Sequence, residues 1–277
     1  MEIKPLDGNT MIAEVCCIGG NRNLDKKSEL TEQERTALRS AEIKLEWLKK
    51  MIPKGLSAKI AYEGEEAVGF IEYMPIEHSN FHKGKDLYII NCMIAPHTPP
   101  WGGPHRERVP GCGSSLVQAM IEDVKDKCKG IVTPFGFAYT EDMKGFFKKF
   151  GFEEFENEGL KMLIKRFKPV EIPSPIRYEQ KYQFRQVPDK VVIDIFWSSK
   201  CPADPYTLLN LRDVCKEFGE EVALNEFCVD DRETLVKYGI ESGTYVNGKF
   251  PWSTYGPLKK EEIREVLTNI IKNEGLQ

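Results

Sequence analysis

Nowhere in this 277-residue chain is there an apolar run of the roughly 20 residues needed to cross a bilayer. The opening residues, Met1-Glu2-Ile3-Lys4-Pro5, lack the apolar core of a secretory signal. None of the eight cysteines (Cys16, Cys17, Cys92, Cys112, Cys128, Cys201, Cys215 and Cys228) forms a C-x-x-C pair, which argues against a zinc ribbon or a disulfide framework. Excess charge of either sign is also lacking. Lys and Arg number 39 against 43 Asp and Glu, a net charge of -4, so neither nucleic acid nor a membrane is the expected partner. There is no internal repeat and no low-complexity tract. These absences point to a cytoplasmic protein with mostly free thiols and no metal. Oligomeric state is not legible.

What is present is a globular composition, 41% hydrophobic and 30% charged. At ~100–200 residues per domain, the length suits two domains. The most informative stretch is Arg108-Val109-Pro110-Gly111-Cys112-Gly113, which fits Q/R-x-x-G-x-G/A. Before it runs an apolar strand pattern from Leu87 to Ile94. After it, Leu116, Val117, Met120, Ile121 and Val124 give one apolar helix face. A strand, a glycine turn and a helix start together make an anion site, because orphan amides and the helix dipole face the ligand. Amides around Val109 and from Gly111, Cys112, Gly113, Ser114 and Ser115 are the candidate phosphate donors. Pro110 removes one donor from the loop. Arg108 either adds charge near the phosphates or is a solvated surface arginine.

This block resembles the glycine loop of the GNAT N-acetyltransferase superfamily. Gly145-Phe146-Phe147-Lys148-Lys149-Phe150-Gly151-Phe152 is similar to that family's F-Y-x-x-x-G-F segment, in the expected order after a strand-like run at 131–137. The resemblance covers residues 1–167. It implies an α/β fold of the α+β type with a mixed central sheet, and acetyl-CoA as cosubstrate with its pyrophosphate on the glycine loop. The reaction implied is acetyl transfer to a primary amine, by direct attack in a ternary complex because no Cys/His pair is evident. The acceptor amine is not named by any residue.

The order of elements agrees. A strand at Glu2–Leu6 precedes a short helix through Val15, with Asn9 as the expected N-cap. Thr31 and Glu34 have capping-box spacing before a longer helix that Pro53 ends. Ala58–Tyr62 and Val68–Tyr73 flank Glu63-Gly64-Glu65-Glu66, a hairpin signal. Strand 87–94, the glycine-loop helix, strand 131–137, a helix at 141–150 and two strands between Glu153 and Arg166 complete the unit.

Acetyl transfer needs a polarised thioester carbonyl, a base for the amine and an acid for the leaving thiolate. A backbone N–H near Met93 or Ile94 is the carbonyl donor implied. Many family members supply the acid from the tyrosine of the F-Y segment. Phe147 stands there and has no proton to give, and its spacing with Met143, Phe146 and Phe150 is that of core packing. Tyr139 is the substitute acid and Glu72 the candidate base. The competing reading of each is a surface or packing residue, with water carrying the protons. His78, His82, His97 and His105 lie on Pro/Gly-rich loops without a ligand pattern, so solvated histidines are expected rather than a metal site. Trp101, in the insertion at 97–107, either covers the cofactor or packs onto the other domain. Cys16 and Cys17 either line the acceptor site or pack in the core.

Pro169, Pro173 and Pro175 mark an extended linker over residues 168–189. Residues 190–277 then read β-α-β-α-β-β-α, with Phe196-Trp197-Ser198-Ser199-Lys200-Cys201-Pro202 at the first turn. This resembles a smaller thioredoxin-like α/β domain, of the YoaP-like kind found fused behind acetyltransferases. Asp204 stands where the second redox cysteine would be, which excludes a dithiol cycle on this motif. Cys201 remains a candidate thiol site. Lys200 and the helix start favour its thiolate, while Asp204 either caps that helix or opposes the thiolate. Two rival functions follow: a redox protein acting through Cys201, and a CoA-binding regulator without catalysis, as Phe147 allows.

Overall fold

Local signals in the sequence account for most elements of the computed structural model, which describes residues 1–11, 30–95, 109–134, 141–252 and 256–274. Contacts divide these residues into two units. Unit 1 comprises the described parts of Met1–Cys17 and Leu48–Arg177, and unit 2 those of Ile18–Trp47 and Tyr178–Gln277. The division is therefore not a single cut near residue 167. The helix α1 (Glu32–Met51) groups with unit 2 as far as Trp47.

Unit 1 begins with β1 (Glu2–Pro5). Asp7, rather than Asn9, opens the turn that follows. Its Oδ1 accepts from the amides of Asn9 at 2.7 Å and Thr10 at 2.9 Å, the local bonding that short carboxylates favour at helix starts. After the tail of α1, β2 (Ser57–Glu63) and β3 (Glu66–Pro75) form the expected hairpin. The two-residue strand β4 (His82–Lys83) precedes β5 (Leu87–Ile94). Then come α2 (Cys112–Val124), β6 (Gly130–Pro134), α3 (Glu141–Lys148), β7 (Glu153–Asn157), β8 (Leu160–Arg166) and β9 (Ser174–Pro175).

Seven of these strands make one mixed sheet in the order β1-β2-β3-β5-β6-β8-β7, agreeing with the mixed central sheet expected. Its parallel pair is β5 with β6, connected through α2; the other neighbours are antiparallel. One sheet face packs Ile71, Tyr73, Ile90, Ile131 and Leu163 against Leu116, Val117 and Met120 of α2 and Phe147 of α3. The other carries Ile60 and Phe70, with Cys92 and Ile94 against them. The Tyr73 hydroxyl donates to Asp123 Oδ2 at 2.5 Å, and Lys59 Nζ lies 3.3 Å from the same oxygen. These bonds tie the C-terminal part of α2 to the β2–β3 hairpin.

In unit 2 the capping box forms as the spacing predicts. Thr31 N–H donates to Glu34 Oε2 at 2.8 Å, and Glu34 N–H to Thr31 Oγ1 at 3.3 Å. The remaining elements are β10 (Val191–Trp197), α4 (Ala203–Phe218), β11 (Val222–Cys228), α5 (Arg232–Tyr238), β12 (Gly243–Val246) and α6 (Lys260–Glu274). β10 is central, parallel to β11 and antiparallel to β12. The last strand expected after Asn247-Gly248 is reduced to one bridge, Val246 to Lys249. The turn is instead held on β10, where Asn247 Oδ1 accepts from Val192 N–H at 2.9 Å and Asn247 N–H donates to Val192 O at 2.8 Å.

The segment expected as a linker is extended but docked within each unit. In unit 1, β9 pairs with β4. In unit 2, the Lys181 and Tyr182 amides both donate to Tyr238 O at 3.0 Å. The Tyr182 ring packs edge-on against Phe196 and its hydroxyl bonds Asp194. α1 is held to its unit by Lys260, which pairs with Glu32 and with Asp213 at 2.8 Å. The nearly buried Lys44 donates to the Lys200 carbonyl at 2.8 Å. Among the described residues no helix is long and apolar enough to cross a membrane.

Candidate active site

β3 and β5 pair in step from Phe70 opposite Ile94 to Glu72 opposite Cys92, then slip so that Tyr73 faces Ile90. Asn91 is the extra residue, a β-bulge. The bulge breaks the alternation of β5. Ile90 and Met93 both lie on the α2/α3 face, whereas Cys92 and Ile94 lie on the other. Glu72 sits opposite the bulge with no exposed surface, and accepts from Asn91 Nδ2 at 2.9 Å.

The bulge also marks where the sheet opens. β5 and β6 pair only from Leu87–Gly130 to Ile89–Val132, although β5 continues to Ile94 and β6 to Pro134. Successive N–H groups on a strand point to opposite sides. One of the Met93 and Ile94 amides therefore points toward β3 and the other toward the open β6 side. Thr133 stands on β6 just past the last pair. Its Oγ1 is buried and has no hydrogen-bond partner.

α2 starts beside the end of β5. Gly111 sits at its N-cap with φ +81°, the left-handed region that glycine enters without a Cβ penalty. The first intrahelical bond runs from Ser115 N–H to Gly111 O at 2.9 Å, and Cys112 N–H donates to Val109 O at 3.2 Å. The amides of Gly113 and Ser114 find no acceptor among the described residues, as first-turn geometry dictates. Ser114 is exposed and Cys112 is buried. Gly69 on β3 allows the close approach. A Cβ there would stand 2.7 Å from Ile94 O and 2.9 Å from Cys112 Sγ. At Gly113 a Cβ would meet Met93 Cε at 3.3 Å and Phe146 Cζ at 3.4 Å, so this hydrogen faces packed side chains.

The structure thus brings Met93, Ile94, Val109, Gly111, Cys112, Gly113, Ser114 and Ser115 to one end of the sheet, with Glu72 in the bulge. Arg108, Tyr139, Trp101, His97, His105, Cys16 and Cys17 lie outside the described residues. Phe147 is fully buried, with Phe146 and Phe152 edge-on to it at 5.3 and 5.2 Å. Among the described residues no group of three or more His, Cys, Asp or Glu is placed to hold a metal. Sequence reasoning missed Asn91 and Thr133. The only signal was a polar residue inside each apolar strand run.

In unit 2, Cys201 precedes α4 and is exposed. Of the two alternatives for Asp204, the cap is corrected and opposition to the thiolate is the one that holds. Asp204 does not cap α4; its Oδ2 accepts from Ser198 N–H at 3.0 Å, across the turn that leaves β10. The balance at Cys201 goes against the thiolate. Protein packed around the turn and the Asp204 carboxylate push the Cys201 thiol up, outweighing the Ala203 amide and the Lys44 and Lys200 ammonium groups. Burial, opposed by the Ser198 amide and aided by Asp230, pushes the Asp204 carboxyl itself up to about 6. Asp230 accepts from Ser198 Oγ at 2.7 Å and Ser199 N–H at 3.2 Å.

No family model matches the chain, and no curated protein matches it. Among solved structures, the chain is similar to a GNAT family acetyltransferase from Brucella melitensis in complex with acetyl-CoA, at 15% identity and TM-score 0.37, over 62% of this chain and 90% of that one. It is similar to PaiA N-acetyltransferase from Thermoplasma acidophilum in complex with coenzyme A, at 13% identity and TM-score 0.38, over 60% and 99%. It is also similar to ribosomal-protein-alanine N-acetyltransferase from Brucella melitensis, at 15% identity and TM-score 0.38, over 64% and 100%.

Proposed function

We propose that unit 1 is an acetyl-CoA-dependent N-acetyltransferase acting on a primary amine. The observation that carries this reading is the parting of β5 from β6 at the Asn91 bulge, beside a helix start with unaccepted amides. A phosphate-bearing thioester fits both features. Its pyrophosphate takes the unaccepted Gly113 and Ser114 amides at the start of α2, with Arg108 adding charge. Its acyl arm enters between the strands, where a Met93 or Ile94 amide polarises the thioester carbonyl.

The chemistry is one direct displacement. The amine nitrogen attacks the carbonyl carbon, an N–C bond forms and the C–S bond breaks. The amine proton goes to Glu72, and the departing thiolate takes one from Tyr139. Phe147 takes no part, because it carries no titratable group and is sealed in the core.

For unit 2 we infer a thioredoxin-like domain of the YoaP-like kind. The parallel β10–β11 pair with its α4 crossover, antiparallel β12 and closing α6 support it. The free thiols fit a cytoplasmic location. Asp204, standing where a second cysteine would be, disfavours a dithiol role for that domain. Calorimetry with acetyl-CoA, followed by mass-spectrometric detection of acetyl transfer to a broad amine panel, tests the reading. Binding with transfer supports it. Binding without transfer to any amine turns it into a CoA-binding regulator, and no binding ends it.

A further inference from the structure

Thr133 is 1% exposed, and its Oγ1 is one of two buried side-chain polar atoms without a partner among the described residues. A hydroxyl taken out of water without a bond costs stability, and valine has nearly the same shape without that cost. The neighbours offer the hydroxyl nothing. Thr133 shares the α2/α3 face with Ile131 two residues earlier, and its partner across β8 is Leu163, another core residue. On its other side the β5 ladder has ended at Ile89–Val132. Thr133 is therefore the first β6 residue past the last β5–β6 pair, where the two strands part, and it carries its unpaired hydroxyl on the α2/α3 face.

We propose that Thr133 Oγ1 is a ligand contact, pairing with a polar atom of an acyl-thioester arm lodged between β5 and β6. A pantetheine-type arm carries amide N–H and C=O groups and a thioester C=O. A hydroxyl can donate to either carbonyl or accept from the N–H. In the unliganded chain the group is unsatisfied; with the arm in place it is paired. This contact helps select a thioester with an amide-bearing arm over a purely aliphatic one, because a buried polar group left unpaired discriminates against a ligand that cannot reach it. The inference rests on the acetyl-CoA reading of the same opening and adds to it a residue that reads the ligand's arm.

The test uses the full chain and three forms: wild type, Thr133→Val and Thr133→Ser. Acetyl-CoA and S-acetylpantetheine, which lacks the pyrophosphate, are titrated into each, and unliganded melting is recorded. Thr133→Val should melt no lower than wild type, since it removes an unsatisfied group. It should bind acetyl-CoA about tenfold more weakly, the factor that corresponds to one net hydrogen bond. S-acetylpantetheine should lose the same factor, because Thr133 lies in the sheet and not at the α2 start. Thr133→Ser, keeping the hydroxyl, should bind both within about twofold of wild type. Unchanged affinity of Thr133→Val, beside a wild type that binds, overturns this inference alone. So does a marked drop in its melting temperature, which would reveal a partner within the chain. Failure of the wild type to bind either probe overturns this inference together with the acetyl-CoA reading.

Discussion

Asn91 reaches across a register slip to donate its side-chain amide to Glu72 Oε1 at 2.9 Å. The bond fixes the extra residue of β5 onto β3 at the point where β5 also parts from β6. Glu72, a carboxylate with no exposed surface, holds the bulge and is also the base of the proposed reaction.

Those purposes separate by substitution. Glu72→Gln keeps an oxygen for Asn91, so stability should change by no more than about 1 kcal/mol. Removal of the base should lower kcat by a factor of roughly 100 or more, with KM for acetyl-CoA little changed. Asn91→Ala leaves the buried Glu72 without this donor and should cost about 1–3 kcal/mol. Steady-state kinetics beside thermal unfolding checks both. A Glu72→Gln enzyme with wild-type turnover would remove Glu72 as base and leave it a holder of the bulge.

The glycines at the start of α2 differ in what they tolerate. Gly111 has open space around a would-be Cβ but a φ of +81°, so Gly111→Ala should cost about 1–2 kcal/mol of backbone strain and weaken acetyl-CoA binding. Gly113→Val tests packing instead, because its Cβ is aimed at Met93 and Phe146. It should destabilise unit 1 by about 1–3 kcal/mol through crowding. Denaturant unfolding and calorimetry on both variants decide this. A Gly113→Val protein of unaltered stability would contradict the packing.

Much of this was legible from residue pattern. The Thr31 to Glu34 capping box, the Glu63 to Glu66 hairpin and the apolar face from Leu116 to Val124 are local features, each set by a few neighbours in sequence. The bulge was not legible. It depends on how β3 and β5 come into register, and Ile89-Ile90-Asn91-Cys92-Met93 reads as a plain buried strand. For the same reason Thr133 passed as strand filler, since an unpaired hydroxyl is a property of its surroundings. Asp204 misled differently. A short carboxylate at a helix start reads as a cap, yet the amide it accepts from is that of Ser198, across the turn. The grouping of residues up to Trp47 with unit 2 has no local signal, because it rests on pairs such as Lys260 with Glu32 and Lys44 with the Lys200 carbonyl.

Phe147 occupies the position where the resemblance places a tyrosine. Its ring has no exposed surface and is hemmed in by Phe146 and Phe152. Restoring the hydroxyl as Phe147→Tyr should therefore lower stability by about 1–3 kcal/mol, the cost of burying an unpaired polar group. It should not raise turnover. A gain in kcat from this substitution would mean that the ring edge faces the reacting atoms after all.

Asp204 gives unit 2 a pH dependence of definite sign. Its carboxyl is raised from the ordinary 3.8 to about 6, so the fold favours the neutral form. The associated stability is fully present below about pH 4 and is lost as pH rises through about 6, at a slope of up to about 1.4 kcal/mol per pH unit. Asp204→Asn keeps an oxygen for the Ser198 amide and never ionises. The variant and wild type should be nearly matched at about pH 4, with the variant the more stable at about pH 7.5. Amide exchange of α4 peptides in the full chain reads this for unit 2 alone. The same carboxylate stands against the Cys201 thiolate and helps to raise its thiol. Asp204→Asn should then speed alkylation of Cys201 at about pH 8, while Cys215, buried and pushed up to about 12, stays slow. Wild-type Cys201 should still label faster than Cys215, being the exposed one of the two. If Asp204→Asn were less stable than wild type at the higher pH and left Cys201 labelling unchanged, the carboxylate would be neither strained by its burial nor coupled to the thiol.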